Sequence, residues 1–144
     1  METNTLNKTI AITGASGFVG THLKNYFENL EFNVISISRE ILNDEEKLQE
    51  IISKSNIVIN LAGANIIGKW TAEYKELLYK SRIETTKKIV NAINSSTNKP
   101  EQLISTSAVG IYKNDDTYDE NGKFENDFLS NLCQDWEEEA SKAQ

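Results

Sequence analysis

The sequence predicts an α/β fold, a doubly wound parallel sheet held between two layers of helices. Three observations predict it. Short apolar runs rich in β-branched residues alternate with segments of helical periodicity, which is the order of βαβ units. Crossovers through helices make the strands parallel and the connections right-handed. The first apolar run ends in three glycines, Gly14, Gly17 and Gly20, which open the first helical segment.

In chain order, "KTIAIT" is a buried strand, followed by a helix whose Phe18, Leu23, Tyr26, Phe27 and Leu30 recur at helical spacing. "FNVISIS" is a second strand, and periodicity leaves open a very short strand around Glu40 to Leu42. In "ILNDEEKLQEIISKS", Asn43 and Glu46 have capping-box spacing, and Leu48, Ile51 and Ile52 supply an apolar face. "NIVINLAGA" is a third strand ending at Gly63. Thr71 caps a long helix through Leu77, Leu78, Ile83, Ile89, Val90 and Ile93, which Pro100 and the polar residues before it stop. "EQLISTSAVGIY" is a fourth strand running into the polar loop "KNDDTYDENGK". A last helix starts at Asp127, with Phe128, Leu132 and Trp136 on one face.

The 144 residues, 38% hydrophobic and 26% charged, suit one domain, 1–144, with its own core. A lone cysteine, Cys133, excludes an internal disulfide, and no Cys/His cluster suggests a metal. No apolar run is long enough for a membrane helix, and "METNTLNK" lacks the apolar core of a leader, so a cytoplasmic protein is expected. The net charge of −7 and an acidic stretch from Asn114 to Glu139, where Lys123 is the only Lys or Arg, argue against nucleic acid or anionic membrane as partners. That stretch reads as solvated surface.

The glycine loop has the context a dinucleotide needs. Gly14 permits the tight turn, Gly17 lets backbone approach a pyrophosphate, and Gly20 allows close packing of helix on sheet. The amides of Ser16, Gly17, Phe18 and Val19 then begin a helix, where unpaired N–H groups and the dipole favour an anion. The alternative is a strand-to-helix turn without ligand. An acid at the end of the second strand would bond a ribose 2′-hydroxyl and select NAD. Ser38 and Arg39 stand there instead, with Glu40 one residue late. A hydroxyl and a guanidinium suit a 2′-phosphate, so NADP(H) is expected over NAD(H), unless Arg39 is only a solvated loop residue.

The spacing T-G-x-x-G-x-x-G from Thr13 to Gly20 resembles the extended and atypical short-chain dehydrogenase/reductase superfamily, including its NAD-dependent epimerase/dehydratase family. "INLAGA" is similar to the next cofactor-side motif, which implies that Leu61, Ala62 and Gly63 pass under the cofactor. "ISTSAVGIY" resembles the strand of the active-site serine. The stretches "NLAGANIIGKWTAEYKELLYKSRIETTKKIVNAI" and "DFLSNLCQDWEEEA" resemble the YfcH-type branch of sugar-nucleotide epimerases, so the likeness covers essentially the whole chain. It implies a Rossmann fold, an NAD(P) cofactor, a small-molecule substrate such as a nucleotide sugar, and an Arg82 that faces the site, the alternative for Arg82 being a salt bridge on its helix. Members of the family run to about twice this length, which implies an N-terminal fragment, truncated before the last strands. Its open sheet edge, or its helices, would offer a route to homo-oligomers.

The catalytic pattern departs from that family. The superfamily works with a Ser, and with a Tyr and Lys spaced Y-x-x-x-K, in acid–base chemistry beside a hydride carrier. Ser107 matches the serine. Cys133 stands at the tyrosine register and Glu137 at the lysine register, and no Y-x-x-x-K occurs in the last helix. Cys133 can in principle transfer a proton, but Glu137 opposes its thiolate by like charge, and packing is the plainer role for a buried cysteine. Tyr112 is a second candidate acid, or a half-buried aromatic. His22 reads as a surface or packing residue, and Trp70 either covers the cofactor or, the favoured reading, staples the start of the helix that follows it. Two functions remain. One is an oxidoreductase or epimerase with Ser107 as oxygen binder; the other is a nucleotide-sensing or interaction protein that binds the cofactor without turnover.

Overall fold

The computed structural model describes residues 8–144; all but the last residue of the N-terminal stretch read above for a leader lie outside that range. Four parallel strands, β1 (Thr9–Thr13), β2 (Asn33–Ile37), β3 (Ile57–Asn60) and β4 (Gln102–Ser105), form one sheet in the order β2-β1-β3-β4. Ala11 sits between Ile35 and Val58, and Val58 pairs with Leu103. β1 is buried at four successive positions because helices cover both of its faces.

The side chains divide by parity. Ile10, Ile12 and Ile59 pack on Leu23 and Phe27 of α1 (Phe18–Asn29). Ala11 and Val58 face the other way, onto Leu48 and Ile52 of α3 (Glu45–Lys54) and Ile89 and Ile93 of α5 (Thr85–Ser95). Each fully buried Ile or Leu contributes about 1.5–3 kcal/mol from burial alone. The result is the predicted three-layer, Rossmann-like α/β architecture with a four-stranded sheet. The last helix, α6 (Phe128–Ala140), lies on α5, and its Leu132 and Trp136 close a smaller core with Leu78 and Ile83.

Several local expectations change. The segment around Glu40 is a helical turn, α2 (Arg39–Leu42), rather than a strand, because Ser38 caps it by accepting from the Ile41 N–H at 3.3 Å. The cap of α3 is Asp44 and not Asn43: Asp44 is extended and accepts from the Lys47 N–H at 3.1 Å, while the Asn43 amide oxygen accepts from Lys88 at 2.7 Å. β3 ends at Asn60 and β4 at Ser105, leaving the residues beyond them as loops. The long helix starts at the Thr71 cap as α4 (Ala72–Tyr79), passes through a π turn at Lys80–Glu84, and continues as α5. Trp70 packs on Phe128 of α6 at 5.8 Å, and its indole N–H donates to the Ile66 carbonyl at 2.9 Å. Among the described residues no helix is long and apolar enough to cross a membrane.

Candidate dinucleotide site

The strand order reverses between β1 and β3, and in open α/β sheets ligands bind beyond the carboxyl ends of the strands at such a point. At that end β1 runs into Gly14, whose φ of +67° is open to glycine and strained for other residues. A Cβ there would also lie 2.9 Å from the Leu61 carbonyl oxygen. The Gly17 N–H closes the turn on the Gly14 carbonyl at 3.0 Å. Gly20, buried, would place a Cβ 2.1 Å from the same carbonyl, so only glycine lets α1 start this close to the strand. Helical bonding begins with the Thr21 N–H on Gly17. The N–H groups of Phe18, Val19 and Gly20 therefore precede the first intrahelical bond. No side chain caps them and no acidic residue occupies the first turn. Ser16 and Gly17 are open to solvent, as are Phe18 and Val19. The arrangement is a cradle for an anion, with the dipole of a 12-residue helix behind it.

The floor beside the cradle is Leu61–Gly63, and a buried polar network fixes it. The Thr13 hydroxyl donates to the Asn60 side-chain carbonyl at 2.7 Å and accepts from the N–H groups of Leu61 and Ala62 at 3.1 and 3.2 Å. The Asn60 amide donates to the Thr86 hydroxyl at 2.9 Å, and the Trp136 indole donates to the same oxygen at 3.0 Å. Thr86 in turn donates to the Arg82 carbonyl at 2.7 Å. Each hydroxyl thus uses its one hydrogen and both lone pairs.

Arg82, on the π turn, is packed rather than free. Its guanidinium donates to the Ala64 carbonyl at 3.0 Å and the Leu78 carbonyl at 3.3 Å, and lies 5.3 Å over the Trp136 ring. A Cβ on Gly63 would stand 3.0 Å from its Cζ, so the loop and the guanidinium are in contact. Burial lowers the pKa of Arg82, with no carboxylate to offset it. Ser38 caps α2 at the end of β2, and Arg39 is exposed beside it with no ion pair among the described residues.

The three acid–base candidates are not gathered into one triad of hydrogen bonds. Ser107, two residues past β4, donates its hydroxyl to the Glu137 carboxylate of α6. Cys133 is 4% exposed, and burial pushes its thiol up, more than the neighbouring Arg82 draws it down; Glu137 adds to the upward shift. A thiol held protonated in this way is a poor nucleophile and a poor base. Tyr112 stacks on Tyr118 at 6.4 Å and packs on Phe124 at 5.8 Å, in an aromatic cluster of the loop after β4. His22 is exposed one turn into α1, its Nδ1 bonded to the Phe18 carbonyl at 2.7 Å. Among the described residues no cluster of His, Cys, Asp and Glu could hold a metal. Sequence reasoning missed the Thr13–Asn60–Thr86–Trp136 network and the pairing of Ser107 with Glu137. The only signal was Asn60, a polar residue closing an otherwise apolar strand.

The NAD dependent epimerase/dehydratase family matches residues 10–131 of this chain. An epimerase family protein of Arabidopsis thaliana, the SDR39U1 homolog described as chloroplastic, is 32% identical across 94% of this chain and 45% of its own length. The human epimerase family protein SDR39U1, solved with NADPH, superposes with a TM-score of 0.81 at 26% identity, over 92% of this chain and 48% of that one. A nucleoside-diphosphate sugar epimerase of Corynebacterium glutamicum superposes with a TM-score of 0.80 at 27% identity, over 97% of this chain and 32% of that one. The chain spans about half the length of the curated relatives it matches.

Proposed function

Because this chain belongs to the NAD dependent epimerase/dehydratase family, we propose that it is the dinucleotide-binding domain of an oxidoreductase or nucleotide-sugar epimerase of the atypical short-chain type, with NADP(H) preferred over NAD(H). We also place it in the YfcH-type branch, on the "NLAGA" and "SRIETT" stretches. The observation that carries the reading is the cradle: three N–H groups ahead of the first helical bond, uncapped, at a turn that only glycines can make. Gly14, Ser16, Gly17, Phe18, Val19 and Gly20 would hold the pyrophosphate. Leu61, Ala62 and Gly63 would pass beneath the dinucleotide, with Arg82 bracing them from below. Ser38 and Arg39 would meet the adenosine ribose. When bound, the dinucleotide supplies hydride chemistry; Ser107 orients the substrate oxygen at the end of β4.

Arg39 supports the choice of NADP(H), since a guanidinium gives a 2′-phosphate forked, charged hydrogen bonds. Such bonds are worth about 1.5–3 kcal/mol, roughly 10- to 100-fold in affinity. In the full chain that its gene encodes, Arg39→Ala should lower NADPH affinity by that factor and leave NADH affinity unchanged. An unaltered preference for NADPH over NADH would overturn the assignment.

A second reading rests on α6. With Cys133 buried and protonated, and no Y-x-x-x-K on that helix, the chain fits a protein that binds the dinucleotide to sense it or to interact, without turnover. Reduction of bound NADP+ across a panel of sugar nucleotides separates the two, because a sensor shows binding and no hydride transfer.

A further inference from the structure

We propose that Glu137 is a positioning residue that turns Ser107 into a hydrogen-bond acceptor, so that the site takes its substrate in the hydroxyl rather than the carbonyl form. This rests on the dinucleotide-dependent reading above and adds a specificity to it. Thr106 ties the end of β4 to β3, its N–H and hydroxyl both donating to the Asn60 carbonyl at 3.1 and 3.0 Å. Ser107, the next residue, is thereby held at the end of the sheet where Leu61–Gly63 form the floor. Its hydroxyl donates to Glu137.

A carboxylate has no hydrogen to give, so in this pair the hydrogen must come from Ser107. A hydroxyl has one hydrogen and two lone pairs. With the hydrogen committed, Ser107 has only lone pairs left for a ligand. It can accept from a substrate alcohol and cannot donate to a substrate carbonyl. The pair is also held in place. Trp136, the residue before Glu137, is 5% exposed and anchored to Thr86 at 3.0 Å. The start of α6 is fixed by Asp127, which accepts from the Ser130 N–H at 2.8 Å, and by the Ser130 hydroxyl, which donates to the Ile111 carbonyl at 2.6 Å. Glu137 makes no ion pair among the described residues, so no cation competes with Ser107 for its carboxylate. Both side chains are solvent-exposed, which leaves the Ser107 lone pairs accessible to a ligand.

The test is calorimetric and needs no turnover. The full chain that its gene encodes is saturated with NADPH, which leaves an alcohol nothing to reduce and no oxidant to meet. UDP-glucose and UDP-4-deoxy-4-fluoroglucose are then titrated in. One neutral hydrogen bond is worth about 0.5–1.5 kcal/mol, so the wild type should bind the alcohol roughly 2- to 12-fold more tightly than the fluoro sugar. Ser107→Ala removes the acceptor and should bind the two sugars equally. With NADP+ in place of NADPH, which leaves a ketone no hydride to take, the 4-keto analogue of UDP-glucose should bind the wild type no more tightly than the fluoro sugar, because Ser107 has no hydrogen to give it. Glu137→Ala releases that hydrogen and should tighten the ketone roughly 2- to 12-fold. Equal binding of alcohol and fluoro sugar by the wild type, ketone binding that Glu137→Ala leaves unchanged, or binding of neither sugar overturns the proposal. Failure of the wild type to bind NADPH overturns instead the dinucleotide reading on which it rests.

Discussion

One methyl group separates the two duties of the glycine loop. On Gly20 it would meet the Gly14 carbonyl at 2.1 Å, and neither backbone segment can yield without moving β1 from α1. Gly20→Ala should therefore lower stability by about 2–4 kcal/mol in urea denaturation, at the upper end of what overpacking does. On Gly17 the same methyl would stand 3.3 Å from that carbonyl, with φ at an ordinary −76°. Gly17→Ala should stay within about 1 kcal/mol of the wild type. It should still weaken NADPH binding by about tenfold or more, since its Cβ occupies the space where a pyrophosphate approaches the backbone. Denaturation and fluorescence titration of the two variants read these effects separately. The spacing of the glycines is visible in the sequence, and so is their division of labour. The hydrogen-bond partner of Ser107 is not, because Glu137 lies 30 residues away.

At the scale of elements, the informative segment is the helix from Ala72 to Ser95 with its π turn. Leu78 and Ile83 are five residues apart, yet both pack on Leu132 and Trp136. An α-helix would set them well apart around its axis; the wider π turn brings them together. After the turn, Ile89 and Ile93 face the sheet at ordinary α spacing. Apolar periodicity identifies this helix but cannot show a change of phase inside it. The same limit hides the Thr86 junction, whose partners Asn60 and Trp136 lie 26 and 50 residues away. Thr86→Val keeps the shape and removes the oxygen. It leaves the Asn60 amide and the Trp136 indole without acceptors, each at about 1–3 kcal/mol, so a loss of about 2–6 kcal/mol is expected in denaturant unfolding. Thr86→Ser should recover most of it.

For the whole molecule, the sheet was legible because its central strands are buried on both faces and so appear as unbroken apolar runs in β1 and β3. Strand ends were less legible. "NLAGA" and "STSAVGIY" run on with apolar residues past the last ladder bond, and some of these, Leu61 and Ile111, still pack inward from loops. If the carboxyl end of the sheet binds a dinucleotide only when folded, the ligand stabilises the entire domain by mass action. NADPH at about 100 times its Kd adds about 2.7 kcal/mol, which should raise the Tm by roughly 5–10 °C. Differential scanning calorimetry reads that shift, and at the same NADPH concentration Gly17→Ala should cut it to about half or less while leaving the ligand-free Tm near that of the wild type. The Thr86 junction also sets an order of events during synthesis. A ribosome makes Asn60 and Thr86 well before Trp136, so the incomplete chain holds a polar pair whose last partner does not yet exist. Water must serve that hydroxyl until α6 emerges and docks. The Thr86 junction is therefore closed to water only when α6 docks on it.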